Sequence, residues 1–181
     1  YLTADEIAYI VKDCSARVVI TTPKCVESVA PLVTNAADAP VFFIAGGSHP
    51  GFRSWEDALA TQPATPIADE AAGYDMLYSS GTTGRPKGIK RPLTEPSILV
   101  PNPLLKLLCS TMCGMNETSV YLSPAPLYHA APLRFCMSVQ RVGGTVIVME
   151  RFDPEHALQM IEQHQVTTSQ WVPTMFVRML K

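Results

Sequence analysis

The sequence predicts an α/β protein in which parallel or mixed sheets are flanked by helices. Short, uniformly apolar runs such as RVVIT and PVFFIAG are typical of strands buried in a parallel sheet. Segments with helical spacing of apolar residues alternate with these runs along the chain. The chain has 181 residues, 47% of them hydrophobic and 17% charged, so it can bury a core as one domain or as two small subdomains.

Residues 1–68 predict a first α/β segment. LTADEIAYIVKDCSA predicts a helix with a capping box, in which Thr3 and Glu6 each accept from the other's backbone N–H. RVVIT follows as a buried strand, and PKCVESVAPLV as a helix with Pro23 at its first position. PVFFIAG then predicts a second buried strand, WEDALA a short helix, and TQPATPIADEAAG a surface linker.

Residues 69–181 predict a second α/β segment that contains a glycine-rich loop. YDMLYSS leads into this loop as a strand, and GIKRP leaves it extended because Pro86 and Pro92 oppose a helix. After a proline-broken helical stretch, SVYLSPAPLYH is expected to be a strand that ends in a loop, and TVIVME and VTTSQWV are expected to be strands. Helices are expected at LRFCMSVQRVGG, ended by glycine, at DPEHALQMIEQHQ, with Asp153 as cap and Pro154 next, and at PTMFVRML.

Composition excludes several classes of protein. The net charge is −2 and the 14 Lys and Arg residues are scattered, which argues against nucleic acid as the partner. The five cysteines contain no C-x-x-C pair and form no metal-ligand spacing with the four histidines, so we interpret them as reduced, mostly buried thiols of a cytoplasmic protein. Neither a signal peptide nor a membrane span is predicted. The ends of the chain suggest a piece of a longer protein.

The segment YSSGTTGRPKG, Tyr78–Gly88, has more glycine and hydroxyl groups than a turn needs. It is not a Walker A loop, since proline and glycine replace that motif's second glycine and its metal-binding hydroxyl. Its chemistry nevertheless suits phosphate, because glycines let backbone N–H groups approach an anion and Lys87 adds a compact positive charge. The hydroxyl groups that can donate further hydrogen bonds are those of Ser79, Ser80, Thr82 and Thr83. The alternative is a flexible polar hairpin tip.

YSSGTTGRPKG resembles the signature of the adenylate-forming (AMP-binding) superfamily, which includes acyl- and aryl-CoA synthetases. The segment PLYHAAP, residues 126–132, resembles the acyl-CoA synthetase segment beside the carboxylate pocket. The flanking segments are similar to the same family, so the resemblance covers essentially the whole chain. It implies part of the large N-terminal domain of an enzyme that uses ATP, Mg²⁺ and coenzyme A to convert a carboxylic acid into an acyl-adenylate and then a thioester.

The resemblance also implies residue roles. The β- and γ-phosphates of ATP would be held by Ser80, Gly81, Thr82, Thr83, Gly84 and Lys87. His129 would border the acyl and adenylate site, although a histidine near a strand end is commonly structural. Trp171 lies where the family lines its acyl pocket, although it is most simply a core residue. The adenine, ribose and magnesium ligands and the C-terminal catalytic lysine have no counterpart in the chain, so the metal ligands are unknown and the isolated chain is expected to be inactive.

Two other functions stay open on the sequence. One is an adenylate-forming relative that loads a different acceptor, such as a carrier protein, and the other is a non-catalytic nucleotide- or phosphate-binding module. Apolar segments such as PLRFCMSV and WVPTMFV favour a fatty or aromatic acid over a small polar one. An exposed apolar surface would also permit peripheral membrane contact, and the oligomeric state is not predicted.

Overall fold

The computed structural model describes residues 2–71, 73–79, 86–92 and 107–181. Their contacts divide the chain into two compact units, Tyr1–Pro96 and Ser97–Lys181. The predicted division of the chain into α/β segments 1–68 and 69–181 remains a prediction.

The first unit contains a parallel three-stranded sheet flanked by helices. Helix α1 (Ala4–Asp13) begins at the predicted capping box, where Thr3 Oγ1 accepts from Glu6 N at 3.3 Å and Thr3 N donates to Glu6 Oε2 at 2.8 Å. The sheet has the order β1-β2-β3 with all neighbours parallel. Its elements are β1 (Val18–Thr21), α2 (Val26–Val29), a 3₁₀ turn (Ala30–Leu32), β2 (Val41–Ile44), β3 (Arg53–Ser54) and α3 (Trp55–Ala60).

Two expectations for this unit were wrong. Helix α2 begins at Val26 and not at Pro23, and it passes into the 3₁₀ turn at Ala30, beside Pro31, which lacks the N–H that an α-helix would use. Strand β1 is not fully buried, because Val18 and Ile20 are each about half exposed. The reason is that Val18 and Ile20 lie on the same, open face of the strand, whereas Thr21 on the other face is buried.

A two-stranded ribbon follows the linker in the first unit. Strands β4 (Leu77–Ser79) and β5 (Lys87–Ile89) pair in antiparallel fashion. The two strands therefore lie before and after the glycine-rich segment in the chain, as the predicted extended segments there required.

The second unit is a parallel sheet of order β7-β6-β8. A π-helical segment (Leu107–Met112) precedes its central strand β6 (Val120–Ser123). The chain then continues through α4 (Ala130–Arg141), β7 (Thr145–Val148), α5 (Pro154–Gln163), β8 (Thr168–Ser169) and α6 (Pro173–Met179). The predicted ends are confirmed for two helices: Asp153 Oδ1 accepts from His156 N at 2.9 Å to cap α5, and Gly143, just after α4, has a φ of +87°.

Two buried clusters hold helices on opposite faces of β6. On one face Tyr121 packs with Cys136 and Val139 of α4, together with Cys109 and Met115. On the other face Leu122 packs with Ala157 of α5, with Ile147 of β7, with Met179 of α6 and with Val166 and Trp171, which flank β8. Successive side chains of a strand point to opposite faces, so α4 and α5 cover the two sides of the sheet. This packing confirms the predicted α/β class, and of the predicted parallel or mixed sheets the two described sheets flanked by helices are parallel.

All five cysteines are free thiols, but most of them are not buried. Cys109 and Cys136 are buried, Cys14 is intermediate, and Cys25 and Cys113 are exposed, which corrects the sequence-based expectation. Burial raises the pKa of the Cys109 and Cys136 thiols. Among the described residues, none of the helices combines the length and apolar character needed to cross a bilayer.

Candidate functional site

The β4–β5 ribbon places Ser79 directly opposite Lys87. Both residues are exposed, and they are the last described residue of β4 and the first residue of β5. The predicted phosphate-binding residues between them, namely Ser80, Gly81, Thr82, Thr83 and Gly84, lie outside the described residues. The structure thus brings together a hydroxyl group and a cation at the end of the ribbon from which the glycine-rich segment departs.

The two faces of the ribbon differ in character. Residues directly opposite each other in an antiparallel pair share a face, so Ser79 and Lys87 lie on the same side as the Leu77–Ile89 pair. The Tyr78–Gly88 pair lies on the other side. Ser79, Lys87 and Ile89 are exposed, whereas Tyr78 and Gly88 are half-buried. The cation therefore projects from the open face of the ribbon.

The covered face contains a contact that the sequence did not reveal. The Tyr78 hydroxyl donates to Asp13 Oδ2 at 2.7 Å, across 65 residues of chain. Burial raises the pKa of Tyr78, and the hydrogen bond to the Asp13 carboxylate raises it further, so the phenol stays protonated as a donor. No local pattern links these two residues, because their encounter depends on how the ribbon packs against α1.

His129 lies in the second unit, beyond the carboxyl end of β6. It is the N-cap residue of α4, but its side chain makes no capping hydrogen bond. The imidazole is exposed and lies beside the Tyr128 ring, with ring centroids 4.5 Å apart and planes tilted by 51°. Tyr128 itself is 75% exposed. The His129 imidazole makes no capping hydrogen bond and is exposed, as is the neighbouring Tyr128 ring. Both side chains are therefore accessible to a ligand.

The connections that follow the neighbouring strands β6 and β8 lead to opposite faces of the sheet. From β6 the chain passes to β7 on one side and then returns to β8 on the other. The segment after β6 leads to α4 on the Tyr121 face, whereas the segment after β8 leads to Trp171 and α6 on the Leu122 face. Diverging connections of this kind leave a crevice at the carboxyl ends of parallel strands, which is where ligands bind in open α/β sheets.

Trp171 follows β8 at this edge and belongs to an aromatic group. Its ring centroid lies 6.1 Å from that of Phe152 and 5.9 Å from that of Phe176. Arg178 Cζ lies 4.8 Å from the Phe152 ring centroid, a cation–π distance. Trp171 is therefore packed among aromatic rings and remains partly accessible.

The chemistry of the described side chains suits phosphate better than a metal ion. A lysine ammonium and a serine hydroxyl donate to phosphate oxygens, whereas Mg²⁺ requires oxygen ligands such as carboxylates. Within the described ranges, no three His, Cys, Asp or Glu side chains come together in a way that could hold a metal ion.

A family model for AMP-binding enzymes matches residues 1–181. The chain belongs to the AMP-binding enzyme family. The match covers both units of this AMP-binding chain and includes the β4–β5 ribbon and the β6–α4 connection, so the resemblance found in the sequence is confirmed.

Curated relatives of this AMP-binding chain include proteins named as CoA ligases and CoA synthases. It is 33% identical over 191 residues to 4-coumarate–CoA ligase 5 of Oryza sativa subsp. japonica, an alignment that covers 99% of this chain and 33% of the relative. It is also 33% identical over 180 residues to the feruloyl-CoA synthase of an Amycolatopsis species, covering 97% of this chain and 32% of the relative. The chain spans about a third of the length of these proteins.

Solved structures of similar proteins share the fold. A crystal structure assigned to a long-chain-fatty-acid CoA ligase of Rhodopseudomonas palustris superposes with a TM-score of 0.80 at 25% identity, covering 99% of this chain and 44% of that one. ATP-bound MatB from the same organism superposes with a TM-score of 0.70 at 27% identity, covering 99% of this chain and 34% of MatB. The α/β arrangement of this chain is thus that of CoA ligase structures.

Proposed function

We propose that the full-length protein is an ATP-dependent carboxylic acid–CoA ligase. In the first half-reaction the carboxylate oxygen attacks the α-phosphate of ATP, which forms an acyl-adenylate and releases pyrophosphate. In the second, the thiolate sulfur of coenzyme A attacks the acyl carbon, which forms the thioester and releases AMP. Membership of the AMP-binding family and the CoA ligase names of the relatives support this proposal.

The observation that carries the proposal is the pairing of Ser79 with Lys87 on the open face of the ribbon. Attack of one anion on another is opposed electrostatically, so an enzyme must neutralise charge on the leaving pyrophosphate. Lys87 would bind the β- and γ-phosphate oxygens through charge-assisted hydrogen bonds, and the hydroxyl of Ser79 would donate beside it. The residues between them, Ser80–Gly84, would complete this phosphate site.

The acid would bind at the carboxyl edge of the second unit. His129 and the exposed Tyr128 ring follow β6 there, and Trp171 follows β8. Aromatic side chains offer large apolar surfaces for an aromatic or fatty acid, and the imidazole can donate a hydrogen bond to its carboxylate. Because the relatives are named for 4-coumarate and ferulate, aromatic acids are the first class to test.

Mg²⁺ and coenzyme A would complete the reaction. Mg²⁺ would arrive with ATP and neutralise phosphate charge, and no described residue is assigned as its ligand. Coenzyme A would be the acceptor, as in the named activities of the relatives.

The test is carboxylate-dependent ATP–pyrophosphate exchange by the full-length protein, with aromatic and short-, medium- and long-chain fatty acids. Lys87→Ala is compared with Lys90→Ala, a matched control that removes an exposed lysine just beyond β5. We expect exchange with one class of acid and a loss of about 100-fold in Lys87→Ala, since a charge-assisted contact that strengthens in the transition state contributes roughly 3 kcal/mol. The Lys90→Ala variant should keep its activity.

The acceptor is tested separately by AMP release with and without coenzyme A. AMP release that depends on coenzyme A supports a CoA ligase, whereas exchange without such dependence points to another acceptor. A folded, ATP-binding protein that exchanges pyrophosphate with none of the acids would contradict the proposed reaction and would leave a phosphate-binding module.

A further inference from the structure

The contact between Tyr78 and Asp13 connects the β4–β5 ribbon to helix α1. The ribbon has three residues in each strand, and a two-stranded ribbon of this size has little stability of its own. Its orientation therefore depends on what it packs against. The hydrogen bond from Tyr78 Oη to Asp13 Oδ2, at 2.7 Å, joins the middle residue of β4 to the last residue of α1.

Asp13 occupies a position that local helix stability does not explain. A carboxylate at the C-terminus of a helix meets the negative end of the helix dipole, which disfavours it. An aspartate at the last residue of α1 is therefore a small local cost, which the hydrogen bond from Tyr78 offsets. Asp13 is thus unfavourable for the stability of α1 and favourable for the contact with the ribbon.

Gly88 allows the Tyr78 ring to reach Asp13. Tyr78 and Gly88 are directly opposite each other in the ribbon. A Cβ on Gly88 would lie closest to Met76 Cε, and 2.8 Å and 3.0 Å from Cζ and Cε1 of the Tyr78 ring. The ring thus lies across the glycine, and no larger residue fits beneath it without displacing it. Met76 and Tyr78 thus cover Gly88 on this face of the ribbon, and Tyr78 extends from it to Asp13 of α1.

The covered face in turn determines where Lys87 points. Because neighbouring residues of a strand point to opposite sides, a ribbon held through Tyr78 turns Ser79 and Lys87 away from α1. Loss of the hydrogen bond would let the short ribbon rotate or tilt, and Lys87 would move with it. A cation binds phosphate well only when its position is held in advance, so this freedom would weaken phosphate binding.

We propose that Asp13 and Tyr78 are positioning residues, which hold the β4–β5 ribbon against α1 so that Lys87 faces the phosphates of ATP. The inference rests on the proposed ligase function for its kinetic test. It also makes a prediction about the ribbon itself that requires no turnover.

The kinetic test uses the full-length protein and ATP–pyrophosphate exchange. Tyr78→Phe keeps the ring over Gly88 and removes only the hydroxyl, and Tyr74→Phe is the matched control at an exposed tyrosine of the same unit. We expect the KM for ATP to rise about tenfold in Tyr78→Phe, the ratio that corresponds to losing one hydrogen bond to a charged partner. The KM for the acid should stay unchanged, as should both constants in Tyr74→Phe.

Variants at Asp13 separate positioning from general stability. Asp13→Ala should match Tyr78→Phe, Asp13→Asn should recover most of the ATP affinity because its amide oxygen can still accept, and the double variant should be no worse than either single one. A purely structural role would instead lower kcat through loss of folded enzyme, would leave the KM for ATP unchanged, and would give additive effects. Any of those three results would overturn the inference.

Hydrogen–deuterium exchange of peptides covering residues 76–90 provides the second readout. We expect faster exchange of these peptides in Tyr78→Phe and Asp13→Ala than in Tyr74→Phe, with the rest of the protein unchanged. If the wild-type protein exchanges no pyrophosphate, the ligase function fails and this measurement alone decides the positioning role. Equal exchange rates in all variants would show that the hydrogen bond does not hold the ribbon.

Discussion

Among the glycines of the second unit, Gly144, between α4 and β7, is the one at which an added methyl group should lower the free energy of unfolding most. An ideal Cβ at this position would lie 2.8 Å from Val139 Cγ1, 2.9 Å from the Ser119 carbonyl oxygen and 3.1 Å from the Asn116 carbonyl oxygen. Ordinary contacts of a Cβ are 3.4–4 Å. The expected loss of stability does not come from the backbone conformation of Gly144, since its φ is not in the left-handed region.

Both carbonyl groups accept backbone hydrogen bonds, so they cannot move away from an added methyl group without weakening those bonds. Ser119 O accepts from Thr145 N at 2.8 Å, the bond that starts the pairing of β7 with β6, and Asn116 O accepts from Ser119 N at 3.1 Å. Overpacking costs about 1–3 kcal/mol, and loosening one of these hydrogen bonds costs about 1 kcal/mol more. We therefore expect Gly144→Ala to lower the free energy of unfolding by about 2–4 kcal/mol.

Urea unfolding followed by circular dichroism measures this effect, with Gly73→Ala as the matched control. No described atom lies within 4 Å of a Cβ at Gly73, so that variant should stay within about 0.5 kcal/mol of wild type. The steric reasoning would be refuted if Gly144→Ala were as stable as wild type, or if Gly73→Ala lost as much stability.

Two further predictions concern titration and reactivity. Burial raises the pKa of Tyr121, so above pH ~10 the unfolded chain loses a phenol proton that the folded chain keeps, and the free energy of unfolding falls as pH rises. Urea unfolding at pH 9 and 11 should show a smaller fall in Tyr121→Phe than in wild type, and equal falls would contradict the assignment. In a thiol-labelling time course, the exposed Cys25 and Cys113 should react at once and the buried Cys109 and Cys136 only on unfolding. Immediate labelling of all five would refute the burial pattern.

Local sequence signals predicted most of the elements because the interactions behind them span one helical turn. The Thr3–Glu6 capping box and the Asp153 cap of α5 both form as predicted, since each joins residues three apart in the chain. The apolar runs at β1 and β2 also form a parallel pair.

The errors arose where packing or a neighbouring element decides the outcome. An apolar run does not show which face of a strand stays open, so the exposure of Val18 and Ile20 was not predictable. The late start of α2 depends on a turn at Thr22–Cys25, where Cys25 N donates to Thr22 O at 3.0 Å. Cysteine burial likewise follows from tertiary packing, because the residue type alone does not place a thiol.

The sequence by itself determined the family and predicted a phosphate-binding role for the segment Tyr78–Gly88. The glycines, hydroxyl groups and lysine of YSSGTTGRPKG are close together in the chain, so the motif can be recognised from the sequence alone. Only the tertiary structure decided that Tyr78 meets Asp13, 65 residues away, and that β6 lies between β7 and β8 with connections diverging at its carboxyl end. These contacts join distant parts of the chain, and they exist only because burial of apolar faces brings the helices and strands together.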